Sequence, residues 1–160
     1  MIFLTVGSQF AFDRLVMAVD DAVGKGLIDD KVFAQVGETS YSPRNFEYVK
    51  FVDKKLFDES VTKASAIISH AGMGIISAAF EKNKPLLVMP RRKKYGEVVN
   101  DHQVAIAEKF EQNGHLLAAY DANEFSEKII LLRTFVPRPR QNQASAVAER
   151  IRRFLSELAK

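Results

Sequence analysis

Short apolar runs alternate along this chain with segments whose apolar residues recur at helical spacing, and this alternation constrains the fold more than any other feature. The chain opens on the run Ile2 to Val6, which has no polar alternation and is typical of a strand buried on both faces. Apolar residues then recur at helical spacing until Gly24 and Gly26, which favour the end of a helix. Repeated along the chain, this order predicts parallel β-α-β units with right-handed crossovers. The expected fold class is α/β: an open, Rossmann-like parallel sheet of about six strands with helices on both faces.

The pattern also gives approximate boundaries. The predicted strands cover residues 2–6, 31–36, 48–52, 66–69, 86–89 and 116–119. The predicted helices cover residues 12–23, 56–64, 74–82, 101–112 and 123–133, with a C-terminal helix at about 141–159. A chain of 160 residues with 47% apolar residues can build one core, so we expect a single domain, residues 1–160. The C-terminal helix carries an apolar stripe beside several arginines, so it either packs on its own sheet or meets a partner protein or a membrane surface.

Composition excludes several classes of function. The chain has no cysteine, which excludes disulfide scaffolds, thiolate metal sites and cysteine nucleophiles. Three histidines are too few to predict a His-rich metal cage, and a net charge of +3 does not by itself indicate nucleic acid. The apolar start lacks a basic stretch and stops at Gly7, and no later window is apolar enough to span a bilayer. We therefore expect a soluble, cytoplasmic protein that another component must hold at any membrane.

Four loops should meet at the ligand-binding edge, because open parallel sheets bind ligands beyond the carboxyl ends of their strands. The loop with the strongest signal is Ser69-His70-Ala71-Gly72-Met73-Gly74, which follows a strand and opens a helix. Glycines permit close approach of a ligand, and the helix points free N–H groups at the turn. A phosphate or diphosphate is the natural guest. The loop lacks a P-loop lysine and is not Gly-x-Gly-x-x-Gly, so an ordinary strand-to-helix turn stays open as the alternative.

The other three loops each allow more than one interpretation. Gly7-Ser8 would donate hydrogen bonds to the same anion or form an ordinary turn, and Gln35 would either bind a ligand or satisfy neighbouring backbone. The cations from Arg91 to Lys94 would be solvated, balance a diphosphate, or touch anionic lipid head groups. Nucleic acid fits them less well, because no aromatic residues are interleaved with the charge. Asn100-Asp101-His102-Gln103 would cap a helix or recognise the hydroxyl groups of a sugar.

Together these segments resemble the glycosyltransferase family 28 C-terminal domain, the nucleotide-sugar-binding half of two-lobed GT-B enzymes. The resemblance runs from residue 3 to about residue 118. The matching stretches are Phe3-Leu4-Thr5-Val6-Gly7-Ser8, Gln35-Val36-Gly37, Ile68-Ser69-His70-Ala71-Gly72-Met73-Gly74, Lys84-Pro85-Leu86-Leu87-Val88-Met89-Pro90 and Asn100-Asp101-His102-Gln103. The size of the chain and its Thr-Val-Gly start are similar to free-standing versions of this half. These are the soluble subunit of the dolichol-linked N-acetylglucosamine transferase and bacterial subunits of exopolysaccharide and capsule synthesis. The basic run 91–94 looks like the bacterial group.

The resemblance implies a role for individual residues. By position, Gly7 and Ser8 would line the diphosphate site, His70, Gly72 and Gly74 would contact the nucleotide phosphates, and Asp101, His102 and Gln103 would face the donor sugar. The candidate nucleotide-sugar-binding residues also include Ser69, Met73, Arg91 and Asn100, which lie within or beside these segments. His70 and His102 are the candidates for a catalytic role. One position departs from the family, because Ala78 stands where many relatives have a glutamate that holds the ribose hydroxyls; Glu81 lies three residues later.

The resemblance also implies an activity and partners. It implies transfer of a hexosyl group from a UDP-sugar to a lipid-linked saccharide, without a metal cofactor and without nucleic acid. A membrane-associated subunit would bind the acceptor, supply the general base and recruit this chain to the inner face of the cell membrane. Alternatives stay open: a nucleotide-binding regulatory module without catalysis, a self-sufficient α/β hydrolase using His70 or His102, or a nucleic-acid binder. Against the hydrolase, the chain lacks Gly-x-Ser-x-Gly.

Overall fold

The computed structural model describes residues 1–139 and 144–158, and the side chains of residues 144–146 are not described. The strands are β1 (Ile2–Thr5), β2 (Val32–Gln35), β3 (Glu47–Val49), β4 (Ala66–Ser69), β5 (Leu86–Val88) and β6 (Leu117–Ala118). The helices are α1 (Asp13–Gly24), α2 (Lys54–Lys63), α3 (Met73–Glu81), α4 (His102–Gln112), α5 (Ala122–Leu132) and α6 (Ala144–Leu158). A 3₁₀ turn, Lys93–Tyr95, follows β5.

All six strands are parallel and lie in the order β3-β2-β1-β4-β5-β6. The chain adds β2 and β3 on one side of β1, then returns to add β4, β5 and β6 on the other side. Strand order therefore reverses between β1 and β4, where Thr5 is the Cα partner of Ser69. Ligands bind at such a switch point because the loops from the two strands diverge there and leave a crevice. The expected α/β class is confirmed.

Two apolar layers cover the two faces of the sheet. Side chains alternate along β1, so Leu4 packs with α1 and α5 on one face, whereas Phe3 packs with α2, α3 and α4 on the other. Phe125 of α5 and Ile76 of α3 are fully buried in these two layers. Helices on both faces leave no exposed face to the central strands, which is why β1, β4 and β5 are buried along their whole length, whereas the edge strand β3 is exposed.

The C-terminal helix α6 has the predicted apolar stripe, but the stripe is exposed. Its large apolar side chains from Val147 onward are each more than half accessible: Val147, Ile151, Phe154, Leu155 and Leu158. Of the two interpretations of this helix, packing on its own sheet is therefore not observed in the part of the chain described here. Residues 141–143 and 159 of the predicted helix lie outside the described residues.

No helix in residues 1–139 or 144–158 combines the length and the apolar character that crossing a bilayer requires.

Candidate functional site

A cleft of about 680 Å³ opens at the carboxyl edge of the sheet, at the switch point between β1 and β4. Loops that are distant in sequence converge there because parallel strands all end at this edge. Most of the residues predicted to bind the nucleotide sugar line the cleft: Gly7, Ser8, His70, Gly72, Gly74, Arg91, Asn100, His102 and Gln103. A second cavity of about 250 Å³ lies at the opposite, amino edge of the sheet and involves none of these residues.

The turn after β1 is held by a small polar network. Gly7 has a φ of +78°, and its N–H donates to the hydroxyl of Thr5 over 3.2 Å. That hydroxyl donates in turn to Oε1 of Gln35 over 2.7 Å, and Nε2 of Gln35 donates to the carbonyl of Gly7 over 3.4 Å. Gln35 therefore contacts the neighbouring backbone at Gly7, and it also lines the cleft, so both interpretations of this residue stay open. The turn leaves Ser8 exposed at the rim of the cleft.

The imidazole of His70 is wedged between two glycines. A Cβ atom on Gly7 would lie 2.8 Å from Nε2 of His70, and one on Gly72 would lie 2.1 Å from Cε1. Nδ1 of His70 is buried and has no hydrogen-bond partner among the described residues. Burial and the nearby Arg91 charge lower the pKa of His70 to about 4, although a hydrogen bond with Gln103 opposes the shift. At neutral pH the ring is therefore uncharged.

The first turn of α3 faces open space. Gly72 is the N-cap residue, no side chain caps the helix, and the first helical bond runs from the N–H of Ile76 to the carbonyl of Gly72. Gly74 and Ile75 line the cleft, and a Cβ atom on Gly74 would have no neighbour within 4 Å. The amides ahead of Ile76 carry the partial positive charge of the helix terminus, which makes this turn suited to an anion.

Arg91 is a buried cation beside the same space. Only 2% of it is exposed, and its Nη2 donates to the carbonyls of Val6 over 2.8 Å and Phe10 over 2.6 Å. Its Nε atom is buried without a hydrogen-bond partner among the described residues, and the guanidinium lies over the ring of Phe12. Burial lowers the pKa of Arg91 to about 10, with Glu97 opposing, so the group stays charged at neutral pH. Arg91 thus ties the loop after β1 to the end of β5 and places a positive charge at the cleft.

The rest of the basic run points elsewhere. Arg91 lines the cleft, but Arg92, Lys93 and Lys94 do not. Arg14 of α1 fixes the position of the segment that follows β5. Its Nε and Nη2 donate to the two carboxylate oxygens of Glu97 over 2.8 and 2.9 Å. Nη2 also donates to the carbonyl of Pro90 over 2.8 Å.

Three predicted site residues lie outside the cleft lining. Ser69 is fully buried, and its hydroxyl donates to the carbonyl of Thr5 over 2.6 Å. The side chain of Met73 is exposed at the start of α3. Asp101 accepts a hydrogen bond from the N–H of Lys93 over 2.8 Å, so it fixes the preceding loop.

The residues at the start of α4 hold the local backbone in place, and three of them also line the cleft: Asn100, His102 and Gln103. Oδ1 of Asn100 accepts from the N–H of His102 over 3.1 Å, as expected of a residue that closes a turn before a helix. Oε1 of Gln103 accepts from the N–H of Arg91 over 3.2 Å. The exposed side chain of His102 also lines the cleft.

The sequence analysis did not predict the wall of the cleft that lies at the β3 side of the sheet. This wall is lined by residues of the loop after β3 and of the start of α2: Val52, Asp53, Lys54 and Phe57. Oδ1 of Asp53 accepts from the N–H of Leu56 over 2.7 Å and so caps α2. Among the described residues that line the cleft, Asp53 is the one that carries a carboxylate. The position of these residues in the sequence could have predicted this wall, because β3 is parallel to β1 and β4 and the loop after it begins at the same edge of the sheet.

The ribose position on α3 offers no polar group. Ala78 packs against the core on the face that α3 covers, and it does not line the cleft. Glu81 is exposed at the far end of α3. Neither residue is placed to hold a ligand at the first turn of this helix.

Within the described part of the chain, no three His, Asp or Glu side chains come together in a group that could hold a metal ion.

Comparison with protein families matches residues 1–158 to the model described as the glycosyltransferase family 28 C-terminal domain. The human protein named UDP-N-acetylglucosamine transferase subunit ALG13 is 32% identical over 124 residues, which cover 72% of this chain and 10% of that protein. A protein of the same name from Cryptococcus neoformans is 29% identical over 108 residues, or 66% of this chain and 50% of that protein. The chain therefore spans about a tenth and about half of these relatives.

Solved structures share the fold at low sequence identity. The solution NMR structure of ALG13 aligns with a TM-score of 0.61 at 18% identity, covering 90% of this chain and 91% of that chain. The crystal structure of Acinetobacter baumannii MurG aligns with a TM-score of 0.57 at 16% identity, covering 94% of this chain and 49% of the other. At these identities the likeness supports an α/β Rossmann-like fold and nothing more.

Proposed function

The chain belongs to the glycosyltransferase family 28 C-terminal domain family, and from this membership we propose that it is the donor-binding subunit of a two-component glycosyltransferase. In this proposal residues 1–160 form a single nucleotide-sugar-binding domain. The donor is a UDP-sugar, and the acceptor is a lipid-linked saccharide in polysaccharide synthesis. A membrane-associated partner subunit binds that acceptor and recruits the chain to the cytoplasmic face of the cell membrane. That relatives carry the name of a transferase subunit supports the two-component arrangement.

The observation that carries the proposal is the open first turn of α3 beside a buried, charged arginine. A diphosphate at this turn would accept hydrogen bonds from the amides of Met73, Gly74 and Ile75. Arg91 is 2% exposed, so its charge would act on the diphosphate without the screening that a cation in bulk solvent undergoes. The unpartnered Nδ1 of His70 is a further hydrogen-bonding group at this position.

The remaining lining residues suit the other parts of a nucleotide sugar. Ser8, in the loop after β1, would donate a hydrogen bond from its hydroxyl group to the diphosphate. Asn100, His102 and Gln103 would meet the hydroxyl groups of the donor sugar at the other end of the cleft. Asp53 offers its second carboxylate oxygen to a hydroxyl group, which compensates for the missing carboxylate at Ala78.

The proposed reaction is a displacement at the anomeric carbon of the donor sugar. The acceptor oxygen forms a bond to that carbon, the bond to the UDP oxygen breaks, and the electron pair leaves with UDP. Negative charge grows on the diphosphate, so fixed donors aimed at it lower the barrier, and the loss of one such donor typically costs about 3–4 kcal/mol. The α3 amides and Arg91 would supply this stabilisation without a metal. The base that takes the acceptor proton would come from the partner subunit.

A calorimetric titration tests the binding half of the proposal. UDP should bind at least tenfold more tightly than uridine, because the site is built around phosphate oxygens, and a single-stranded oligonucleotide should not compete with UDP. If uridine and UDP bind equally, or neither binds, the diphosphate site is wrong.

A transfer assay tests the catalytic half. The chain is purified alone and together with its co-expressed partner subunit, and each preparation receives labelled UDP-sugars and membrane extract. Transfer should need both subunits. Robust transfer by this chain alone would contradict the division of labour. Tight UDP binding with no transfer by the complex would instead support a regulatory nucleotide-binding module.

A further inference from the structure

The loop formed by residues 92–99, here called the basic loop, carries charge that the cleft does not use. Lys93 and Lys94 are exposed, and neither lines the cleft. Among the described residues, no acidic side chain forms an ion pair with either lysine. Arg92 differs from them, because it is partly buried and its guanidinium lies over the ring of Tyr120. The two lysines are therefore available to an external anionic partner.

The same loop also exposes apolar surface. Val99 is 81% exposed and Tyr95 is 48% exposed. The ammonium group of Lys94 lies 4.7 Å from the centre of the Tyr95 ring, so cationic and aromatic groups are adjacent. An aliphatic tip, an aromatic ring with a polar end and flexible lysines are the groups that enter the head-group layer of a bilayer.

The backbone of the basic loop is fixed from inside the protein. The carboxylate of Glu97 accepts two hydrogen bonds from the guanidinium of Arg14, and it also accepts one from the N–H of Arg92 over 2.8 Å. Asp101 accepts from the N–H of Lys93, and the 3₁₀ turn ends at Gly96 with a φ of +70°. A loop that is already ordered loses little conformational entropy when it contacts a surface.

From these observations we propose that the basic loop contacts an anionic lipid bilayer, with Lys93 and Lys94 at the lipid phosphates and Tyr95 and Val99 among the head groups. The proposal rests on the proposed function, in which the acceptor is lipid-linked. Val99 lies at the rim of the cleft, so this contact would bring the cleft to the membrane surface where such an acceptor is anchored. It adds a direct membrane contact to the recruitment by a partner subunit.

A bilayer fits these groups better than a protein partner does. Lysine is a flexible point charge that needs no fixed geometry from its counter-ion, whereas specific protein contacts favour the planar fork of arginine. The arginines of this segment are the ones already engaged, Arg91 with backbone carbonyls and Arg92 with Tyr120. The groups left on the surface are thus those suited to a fluid anionic layer.

Vesicle flotation tests the proposal with the full chain. The vesicles contain phosphatidylglycerol and phosphatidylcholine, or phosphatidylcholine alone. Wild-type protein should float with the anionic vesicles and not with the neutral ones. Because each lysine near an anionic surface contributes roughly a fivefold increase in affinity, Lys93→Gln combined with Lys94→Gln should weaken flotation about thirtyfold. The matched control, Lys82→Gln with Lys109→Gln, changes net charge equally at exposed lysines outside the loop and should change flotation less than threefold.

A second measurement reports on insertion. The chain has no tryptophan, so Val99→Trp introduces a single probe whose emission should shift to the blue with anionic vesicles. Equal losses for the loop variant and its control, or no flotation of the wild type, would overturn the proposal. So would a loop variant that still floats but no longer co-purifies with the partner subunit, which would make the loop a protein contact. UDP titration of Lys93→Gln/Lys94→Gln keeps the two proposals separate: unchanged UDP affinity with lost flotation leaves the diphosphate site intact.

Discussion

The imidazole of His70 occupies the space directly above Gly72, so that a Cβ atom on Gly72 would lie 2.1 Å from Cε1 and 2.7 Å from Nδ1 of His70. The backbone of Gly72 itself is ordinary, with φ −86° and ψ 140°. Glycine is needed here for the room it leaves to the histidine, and not for a special backbone conformation.

Replacing Gly72 with alanine should therefore displace His70. We expect Gly72→Ala to lower the free energy of unfolding by about 1–3 kcal/mol, the usual cost of overpacking, and to weaken UDP binding at least tenfold. Denaturant unfolding and calorimetry measure the two effects. In a His70→Ala background the steric conflict disappears, so the same substitution should then cost less than about 1 kcal/mol, the share due to the N-cap preference for glycine. An equal cost in both backgrounds would mean that the histidine is not the obstacle.

Gly74 should behave in the opposite way. It lies inside α3 with open space above it, so Gly74→Ala should leave stability unchanged or raise it by up to about 1 kcal/mol through helix propensity. The added methyl group enters the cleft and should weaken UDP binding about tenfold.

Gly26 provides a matched control for Gly74. A Cβ atom at Gly26 also meets nothing within 4 Å, but the residue has a φ of +71° and lies after α1, away from the cleft. Gly26→Ala should destabilise the fold by about 1 kcal/mol and leave UDP affinity as it is. If Gly74→Ala and Gly26→Ala change UDP affinity alike, the turn of α3 is not the phosphate site.

The buried histidine should make stability depend on pH. The pKa of His70 is about 4 in the fold, lowered first by burial and then by Arg91, against about 6.5 in an unfolded chain. The unfolded state therefore binds the proton first as pH falls, and stability decreases from about pH 6.5 down to about pH 4, by at most roughly 3 kcal/mol. Urea unfolding at pH 7, 6, 5 and 4.5 measures the decrease.

A variant that cannot titrate separates His70 from the carboxylates. His70→Gln should flatten the dependence between pH 7 and 4.5. Asp20 contributes to the pH dependence of stability only at lower pH. Burial alone would raise the pKa of its carboxyl group, but hydrogen bonds from Tyr41, Asn45 and Arg44 lower that pKa below its ordinary value. Its contribution is lost only as pH falls below about 4. A pH profile of His70→Gln identical to that of the wild type would show that His70 is not the titrating group.

The Arg14–Glu97 pair should contribute more than a surface ion pair. Both side chains are largely buried, 19% and 10% exposed, and both carboxylate oxygens are engaged. Arg14→Met leaves Glu97 buried without its partner, so we expect a loss of about 2–4 kcal/mol in the free energy of unfolding. Lys25→Met breaks the exposed Lys25–Asp21 pair and should cost less than about 1 kcal/mol. Similar losses for the two variants would mean that burial of the Arg14 pair adds nothing.

The order of strands and helices was accessible from the sequence because hydrophobic periodicity is local. Every predicted strand and helix is present, with ends shifted by a few residues; β3, for example, ends at Val49 rather than at residue 52. The edge that holds the cleft was also accessible, since parallel strands fix where loops converge. The local pattern did not indicate the 3₁₀ turn Lys93–Tyr95, where Arg14 of α1 lies over the ring of Tyr95.

The interactions that shape the cleft could not be predicted from the sequence because they join residues that are far apart along the chain. Arg14 and Glu97 are 83 residues apart, and nothing near either residue indicates the other. The side of the strand to which a hydroxyl points was similarly ambiguous, and Ser69 turns its hydroxyl to the carbonyl of Thr5 within the sheet. The exposed stripe of α6 shows the same limit, because an amphipathic pattern does not reveal which surface will cover it.

The two arginines that brace the loops around the cleft have a kinetic consequence. Arg91 joins the loop after β1 to the end of β5, and Arg14 joins α1 to Glu97, so these walls are shaped by the protein's own carbonyls and carboxylate. Capture of a nucleotide should then follow a simple one-step time course, with a rate proportional to nucleotide concentration and no slow isomerisation phase. The same rigidity would make the free protein a dependable template for screening competitive inhibitors.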